Sequence, residues 1–331
     1  MCQYSAIDGV ATQWHDVHIG SFATGGTGMI MMEATGVVPE GRISTACLGL
    51  WSDEQANRLI PIVDFAHSMG TKIGIQLAHA GRKASCLPPW SDHPMASKEE
   101  GGWECVAPSA ISFGGKYPIP KALSIAEIKA LVKAFADSAQ RAVRAGFDLV
   151  EIHAAHGYLI HQFLSPISNQ RDDEYGGSFE NRIRFILEIA KEVRNAIPDS
   201  MPLFVRISAS DWLEDGWTID ESVQLCRLLK EVGVDLIDVS SGGTSSGAPV
   251  PVGPGYQVPF AERIRKESDI PTCAVGLITE SKQADEIVSS GRADAVMMAR
   301  EFLRNPRWPL QAAKELNAEV TWPNQLLRGK S

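Results

Sequence analysis

The stretch SIAEIKALVKAFADSAQRAVRAGFDLVEIH, residues 124–153, decides the fold. From Ser124 to Ala145 apolar residues recur at helical spacing, Ser124 and Glu127 stand as a capping pair, and Gly146 supplies the stop. The chain then passes at once into Phe147–His153, a run of strand length that is largely apolar, as a strand buried on both faces should be. A long helix joined to a strand by a single glycine is the repeating element of an α/β protein.

The same alternation extends in both directions. Strands are predicted at Thr27–Ala34, Thr71–Leu77, Leu203–Ser208, Asp235–Ser240, Pro271–Val275 and Asp294–Met298, which with Phe147–His153 makes seven. Helices are predicted at Ser52–Met69, Ser178–Ala196, Ile219–Val232 and Glu280–Ser290, and Gly70, Gly233 and Gly291 stop three of them. Uniform repetition without a mid-chain reversal or linker favours a closed (β/α)8 barrel of the α/β class over a doubly wound sheet. One strand is short of the count. Thr12–Ala23 reads as a helix that a strand should precede, and Met1–Tyr4 stands where that strand would end. The barrel is therefore expected to lack most of its first strand and to carry a seam of unpaired backbone. Residues 1–331 are expected to form a single barrel domain, with the proline-rich, aperiodic stretch of about 80–123 laid over its mouth as a capping loop.

Composition narrows the partners. The chain is 44% hydrophobic and 21% charged, the make-up of a folded globular protein rather than a disordered or collagen-like one. Its net charge of -9 offers no general cationic field for nucleic acid or an anionic membrane face, so a small-molecule partner is expected. Six cysteines, scattered without a C-x-x-C pair, fit reduced thiols better than a disulfide framework or a zinc site. The sequence shows neither a signal peptide nor an 18-residue apolar run, and a cytoplasmic protein is expected.

In such barrels the active site forms where the strands end. Those positions carry Cys2 and Tyr4, Ala34, Gln76, His79, His153 and His156, Arg206, Gly276 and Arg300, polar groups that a core pattern would forbid. Arg206 is the hardest to dismiss, because a guanidinium in an apolar strand demands an anionic or polar partner. No G-x-G-x-x-G opens a helix after a strand and no G-x-x-x-x-G-K-[ST] occurs, which disfavours a Rossmann nucleotide site. Gly276 and Ala299–Arg300 instead follow the two last strands, where barrels bind a phosphate, and point to a phosphorylated cofactor. His79 and His161 are read as structural, and Trp90 and Trp103 as anchors of the long loop.

These residues lie in stretches that resemble one family. MCQYSA at Met1, EATGVVPEGR at Glu33, GIQLAHAGRKA at Gly74, EIHAAHGYLIHQFLSPISNQRDDEYGGSFENR at Glu151, FVRISASD at Phe204 and AREFLRNP at Ala299 are similar to the Old Yellow Enzyme family of FMN-dependent ene-reductases. The similarity is to its bacterial NADPH dehydrogenase and xenobiotic reductase branch, and it covers nearly the whole chain. It implies an enzyme in which FMN takes hydride from NADPH or NADH and passes it to an activated alkene. Cys2 would sit near flavin N5 and O4 with Met1 beside it, Ala34 against the ring, Gln76 at the pyrimidine edge and Arg206 near N1 and O2. Gly276, Ala299 and Arg300 would hold the phosphate. His153 and His156 would hold the substrate carbonyl, Tyr158 would supply a proton, and Tyr4 would orient the substrate. Arg328 would reach the active site of a neighbouring subunit in a homodimer or homotetramer. Two departures stand out: the family chain begins about two dozen residues earlier, and its usual Gly-Arg after the last strand is Ala299-Arg300 here.

Two other readings are open. His153-x-x-His156 at a strand end could be a metal pair of a barrel hydrolase or lyase, although no H-x-H follows the first strand and no carboxylate ligand follows the last. A shortened, inactive flavoprotein is the second. No metal is expected.

Overall fold

The structure, a computed structural model, describes residues 1–330. Its strands are β1 (Met29–Gly36), β2 (Lys72–Ala78), β3 (Val106–Ala107), β4 (Lys121–Ala122), β5 (Leu149–Ala154), β6 (Leu203–Ser208), β7 (Leu236–Ser240), β8 (Thr272–Ala274) and β9 (Ala295–Val296). β1, β2, β5, β6, β7, β8 and β9 pair in that order in one parallel sheet, while β3 and β4 pair with each other inside the long loop. All seven predicted strands are present, the last two shortened to three and two residues.

The helices form where the sequence supplies caps. Ser52, Ser124 and Thr218 each accept a hydrogen bond from the backbone N–H three residues on, and the side-chain oxygens of Gln55, Glu127 and Glu221 accept one from the backbone N–H of the cap. Gly70, Gly146, Gly233 and Gly291 all end helices in the left-handed region, at φ 77°, 87°, 90° and 73°, where any other residue pays for its Cβ. The predicted helix 178–196 is interrupted at Ile183 into Phe179–Arg182 and Arg184–Ala196, although the Leu187 N–H still donates to the Ile183 carbonyl. Leu159–Leu164, Val258–Ser268, Arg300–Arg304 and Trp308–Glu315 are helices not foreseen individually. A Gly-, Ser- and Pro-rich approach from 241 to 257 hides the second of these, and the others are short.

Strand residues alternate between two environments. Ile73, Ile75 and Leu77 of β2 and Leu203, Val205 and Ile207 of β6 are fully buried in one apolar cluster with Phe135, Phe163 and Phe185 from the helices. Each such side chain contributes roughly 1.5–3 kcal/mol relative to exposure. The opposite face of the sheet holds the polar residues described below.

The sheet is curled but not closed, for β1 and β9 have no ladder on their outer edges among the described residues. Residues 1–6 form no strand; the Ala6 N–H donates to the Ala46 carbonyl and Tyr4 takes φ 51°. Met1–Tyr4 is thus not the end of a ladder, because β1 offers it no register. Side chains span the seam instead. Phe22, at the end of the helix Gln13–Ala23, meets Phe302 at 6.0 Å between ring centres, and a Cβ on Gly26 would lie 2.5 Å from Leu310.

Candidate active site

Parallel register places side chains of paired residues on the same face, and residues two apart on a strand share it. His153 pairs with Arg206, Arg206 with Asp238 and Asp238 with Cys273; Ala34 pairs with Gln76 and Gln76 with Glu151. A register shift between Met32 and Ala34 is what aligns Ala34 with Gln76. The inner face therefore carries an amide, two carboxylates, a guanidinium and an imidazole in neighbouring rows.

Arg206 finds the anion it requires. Its Nε lies 2.9 Å from Asp238 Oδ2, and the Asp238 side chain is wholly buried. Gln76 Nε2 donates to Glu151 Oε1 at 2.6 Å, leaving Glu151 Oε2 and both Asp238 oxygens without a hydrogen bond. Burial and then the nearby Asp238 charge push the Glu151 carboxyl up to about 8, so it is neutral at pH 7 and one carboxylate faces one guanidinium. Neither Glu151 nor Asp238 is singled out by the sequence reading. The signal was available, since each is a carboxylate inside an apolar strand, the same anomaly that marked Arg206.

Above this layer stand the histidines. His156 Nδ1 and His153 Nε2 are 3.4 Å apart, and the rings meet edge to face. Burial, followed by the Arg206 charge, holds both well below the usual histidine range, so both are neutral. Their tautomers follow from their partners. The Ala155 N–H donates to His153 Nδ1 at 3.3 Å, which puts the proton on Nε2 and directs it to His156 Nδ1. His156 Nε2–H then donates to Ser240 Oγ at 2.8 Å, Ser240 to Gln257 Oε1 at 3.2 Å, and Gln257 Nε2 to the Val275 carbonyl at 3.2 Å. One chain of donors thus runs from β5 to the end of β8, with every bond pointing the same way.

His156 sits at φ 60°, and Gly157 follows at φ 71° with its Cα so close to Gly243 that a Cβ would meet that carbonyl at 2.1 Å. Only glycine fits there, which lets the loops after β5 and β7 touch. The Tyr158 ring lies 5.1 Å from His153, and burial raises its phenol well above the ordinary value, keeping it protonated. Lys83, absent from the sequence reading, crosses the Tyr158 ring at 5.2 Å and donates to the carbonyls of His156 and Gly243. Burial lowers its ammonium to about 8.

Cys2 Sγ, Glu33 and Cys47 Sγ lie within 4.8 Å of one another. Tyr4 is half-buried with its phenol raised by burial, and its ring meets Trp90 at 5.7 Å. Trp90 is 71% exposed, so it stands at the mouth rather than anchoring the loop; Trp103 does anchor it, donating to the Glu40 carbonyl at 2.8 Å. His79 and His161 are structural, accepting from the N–H groups of Gly81 and Gly157. Met1 is exposed, and Arg328 is exposed in the turn Asn324–Gly329.

Gly276, at φ 123°, forms a cradle: a Cβ there would lie 2.9 Å from Gln257 Nε2 and 3.1 Å from the Tyr256 ring. Burial raises the Tyr256 phenol, and the charge of Arg300, exposed at the start of Arg300–Arg304 after Ala299, opposes that rise. Gln257 links this corner to the histidine chain. A glycine cradle with a guanidinium suits a phosphate, while Gln76, Arg206 and the orphaned polar atoms suit a planar heterocycle rich in acceptors and donors, so the residues present fit FMN.

The rim of this α/β barrel sheet thus combines a buried guanidinium–carboxylate pair, neutral histidines and a glycine corner with a guanidinium, a set that suits a phosphorylated cofactor. The chain belongs to the NADH:flavin oxidoreductase / NADH oxidase family, whose model matches residues 1–319. It is 51% identical over 331 residues to an NADPH dehydrogenase of Geobacillus thermodenitrificans, covering 99% of this chain and 92% of the relative. The NADPH dehydrogenase of Bacillus subtilis is 47% identical over 331 residues, with 99% and 93% covered. Among solved structures, morphinone reductase in complex with tetrahydroNAD superposes with a TM-score of 0.78 at 28% identity, over 98% of this chain and 87% of that one. An old yellow enzyme homologue from Zymomonas mobilis gives 0.75 at 28%, over 96% and 87%. A 2-naphthoyl-CoA reductase gives 0.87 at 25%, over 95% of this chain but 49% of that larger one. The Old Yellow Enzyme resemblance and the barrel class read from the sequence hold, and with them an enzyme of the NADPH dehydrogenase type for which the family implies FMN and NAD(P)H. The hydrolase reading of His153 and His156 falls with that membership. No helix is long and apolar enough to cross a membrane among the described residues.

Proposed function

We propose that this oxidoreductase reduces the electron-poor C=C bond of enones, enals, maleimides or nitroalkenes with hydride from NADPH or NADH, as a single folded domain in the cytoplasm. FMN, when bound, accepts that hydride and supplies it to the alkene. Gln76 and Arg206 would hold its ring, with Met1, Cys2 and Ala34 beside it, and Gly276, Ala299 and Arg300 its phosphate. The observation that carries the reading is the pair of neutral imidazoles beside a protonated phenol. A substrate oxygen entering at His153 takes over the Nε2–H now given to His156, and turning His156 away from Ser240 adds a second donor. Two neutral donors polarise the carbonyl most as charge develops on its oxygen. Tyr158, its proton retained by burial, protonates the α-carbon. Tyr4 orients the substrate from the mouth. Homodimer or homotetramer formation, with Arg328 entering the neighbouring site, completes the proposal.

The test is anaerobic stopped-flow on FMN-saturated protein. NADPH should bleach the flavin, and an enone should restore its colour. Tyr158→Phe should slow only the second step, by about 10²–10⁴-fold, and His153→Ala with His156→Ala should remove enone binding while flavin stays bound. Unaltered enone turnover in that double variant would refute the assignment; protein that takes up no FMN would favour the inactive reading.

A further inference from the structure

Two thiols stand together beside the rim. Cys47 belongs to the tight turn Ser44–Cys47, closed by its own N–H to the Ser44 carbonyl at 3.2 Å, and its Sγ lies 3.2 Å from Ser44 Oγ. The segment that follows Cys2 is pinned at two points, once to β1 and once to this turn. The Gln3 N–H donates to Glu33 Oε2 at 2.9 Å, and the Ala6 N–H to the Ala46 carbonyl at 2.9 Å. Cys2 stands immediately before the first pin, and its sulfur is within 4.8 Å of that of Cys47. Cys47 is buried whereas Cys2 is partly open. The other cysteines are otherwise engaged: Cys86 and Cys105 both donate to the Ala84 carbonyl, and Cys226 and Cys273 are buried in the core.

We propose that Cys2 and Cys47 form a reversible disulfide when the protein meets a peroxide. A gap within 4.8 Å is short enough for rotation of the two side chains, with a small shift of residues 1–2, to bring the sulfurs to about 2.05 Å. The Cys2 thiol and the Ser44 hydroxyl both stabilise a Cys47 thiolate and lower its pKa, while the contact with Cys47 and burial raise the Cys2 thiol, so Cys47 is the thiol that ionises first. In the first step one thiolate attacks hydrogen peroxide: an S–O bond forms, the O–O bond breaks, and the leaving hydroxide takes up a proton as water. The second thiolate then attacks the sulfenic sulfur, forming S–S, breaking S–O and releasing a second water. Two thiols are oxidised, one peroxide is reduced, and no other reagent is consumed. A thiol reductant reverses the bond. The consequence is a Cys2 drawn toward Cys47 and shielded from irreversible oxidation.

This needs no flavin, so its failure leaves the proposed activity untouched. FMN-saturated protein is treated with hydrogen peroxide, its remaining thiols are alkylated, and it is digested with trypsin. The expected product joins Met1–Arg42 to Ile43–Arg58 and disappears with dithiothreitol. In Cys47→Ser no linked peptide forms, and Cys2 sulfinic acid rises about tenfold over wild type at the same dose. The proposal is overturned if wild type yields no linked peptide, whether both thiols survive or Cys2 over-oxidises as in the variant. Stoichiometric zinc that blocks the linkage would overturn it too, by assigning the Cys2, Glu33 and Cys47 trio to a metal.

Discussion

Glu151→Gln tests the charge layer beneath the rim. In the wild type Glu151 keeps its proton to about pH 8, against an ordinary value of 4.5, because it is buried and faces Asp238. The folded protein therefore holds a proton that the unfolded chain has released, and stability falls as pH rises through that window. Each pH unit costs about 1.36 kcal/mol, so raising the pH from 5.5 to 8 removes roughly 3 kcal/mol through this one group. Above the folded pKa the loss levels off; below pH 4.5 it vanishes. Glutamine keeps the oxygen that accepts from Gln76 Nε2 and removes the titration. Urea unfolding followed by far-UV circular dichroism at half-unit pH steps gives the readout. The variant should lack that roughly 3 kcal/mol fall relative to wild type, while titrations away from the Glu151–Asp238 layer cancel in the difference. Equal slopes for the two proteins would mean that Glu151 is ionised in the fold, and the single-carboxylate picture of the Arg206 layer would be wrong.

Gly276→Ala should weaken FMN about 10–100-fold, since the φ of 123° strains any Cβ and the methyl meets Gln257 Nε2 at 2.9 Å. Riboflavin, lacking the phosphate, should bind both proteins equally in a fluorescence titration; equal loss for both ligands would refute a phosphate cradle. Phe135→Ala, at a fully buried helix position, should cost about 3–5 kcal/mol in urea midpoint measurements, and a change below 1 kcal/mol would contradict its place in the core.

Much of the site was legible because strand ends are where a barrel sequence breaks its own apolar rule. Arg206, His153 and Gln76 stand out for that reason, and register then confirms that they share a face. Glu151 and Asp238 break the rule equally and carry the same signal, but which of them is neutral and which is the counter-ion of Arg206 depends on the neighbour across the ladder. Lys83, in the short helical turn Gly81–Lys83, and Cys47, in a loop, lie where polarity is ordinary, and only chain packing brings the one over Tyr158 and the other to Cys2. Trp90 was read as an anchor because aromatic burial is the usual outcome; its exposure beside Tyr4 depends on how the long loop lies.

Hydrophobic period, capping boxes and glycine stops fixed the elements and their order, for these act between residues a few positions apart. Which histidine nitrogen carries its proton, which carboxylate is neutral and which thiol has a partner were settled only by tertiary structure. Those properties depend on solvent exclusion and on charges within a few ångströms, contributed by segments as distant in the chain as Cys2 and Cys47 or His156 and Ser240.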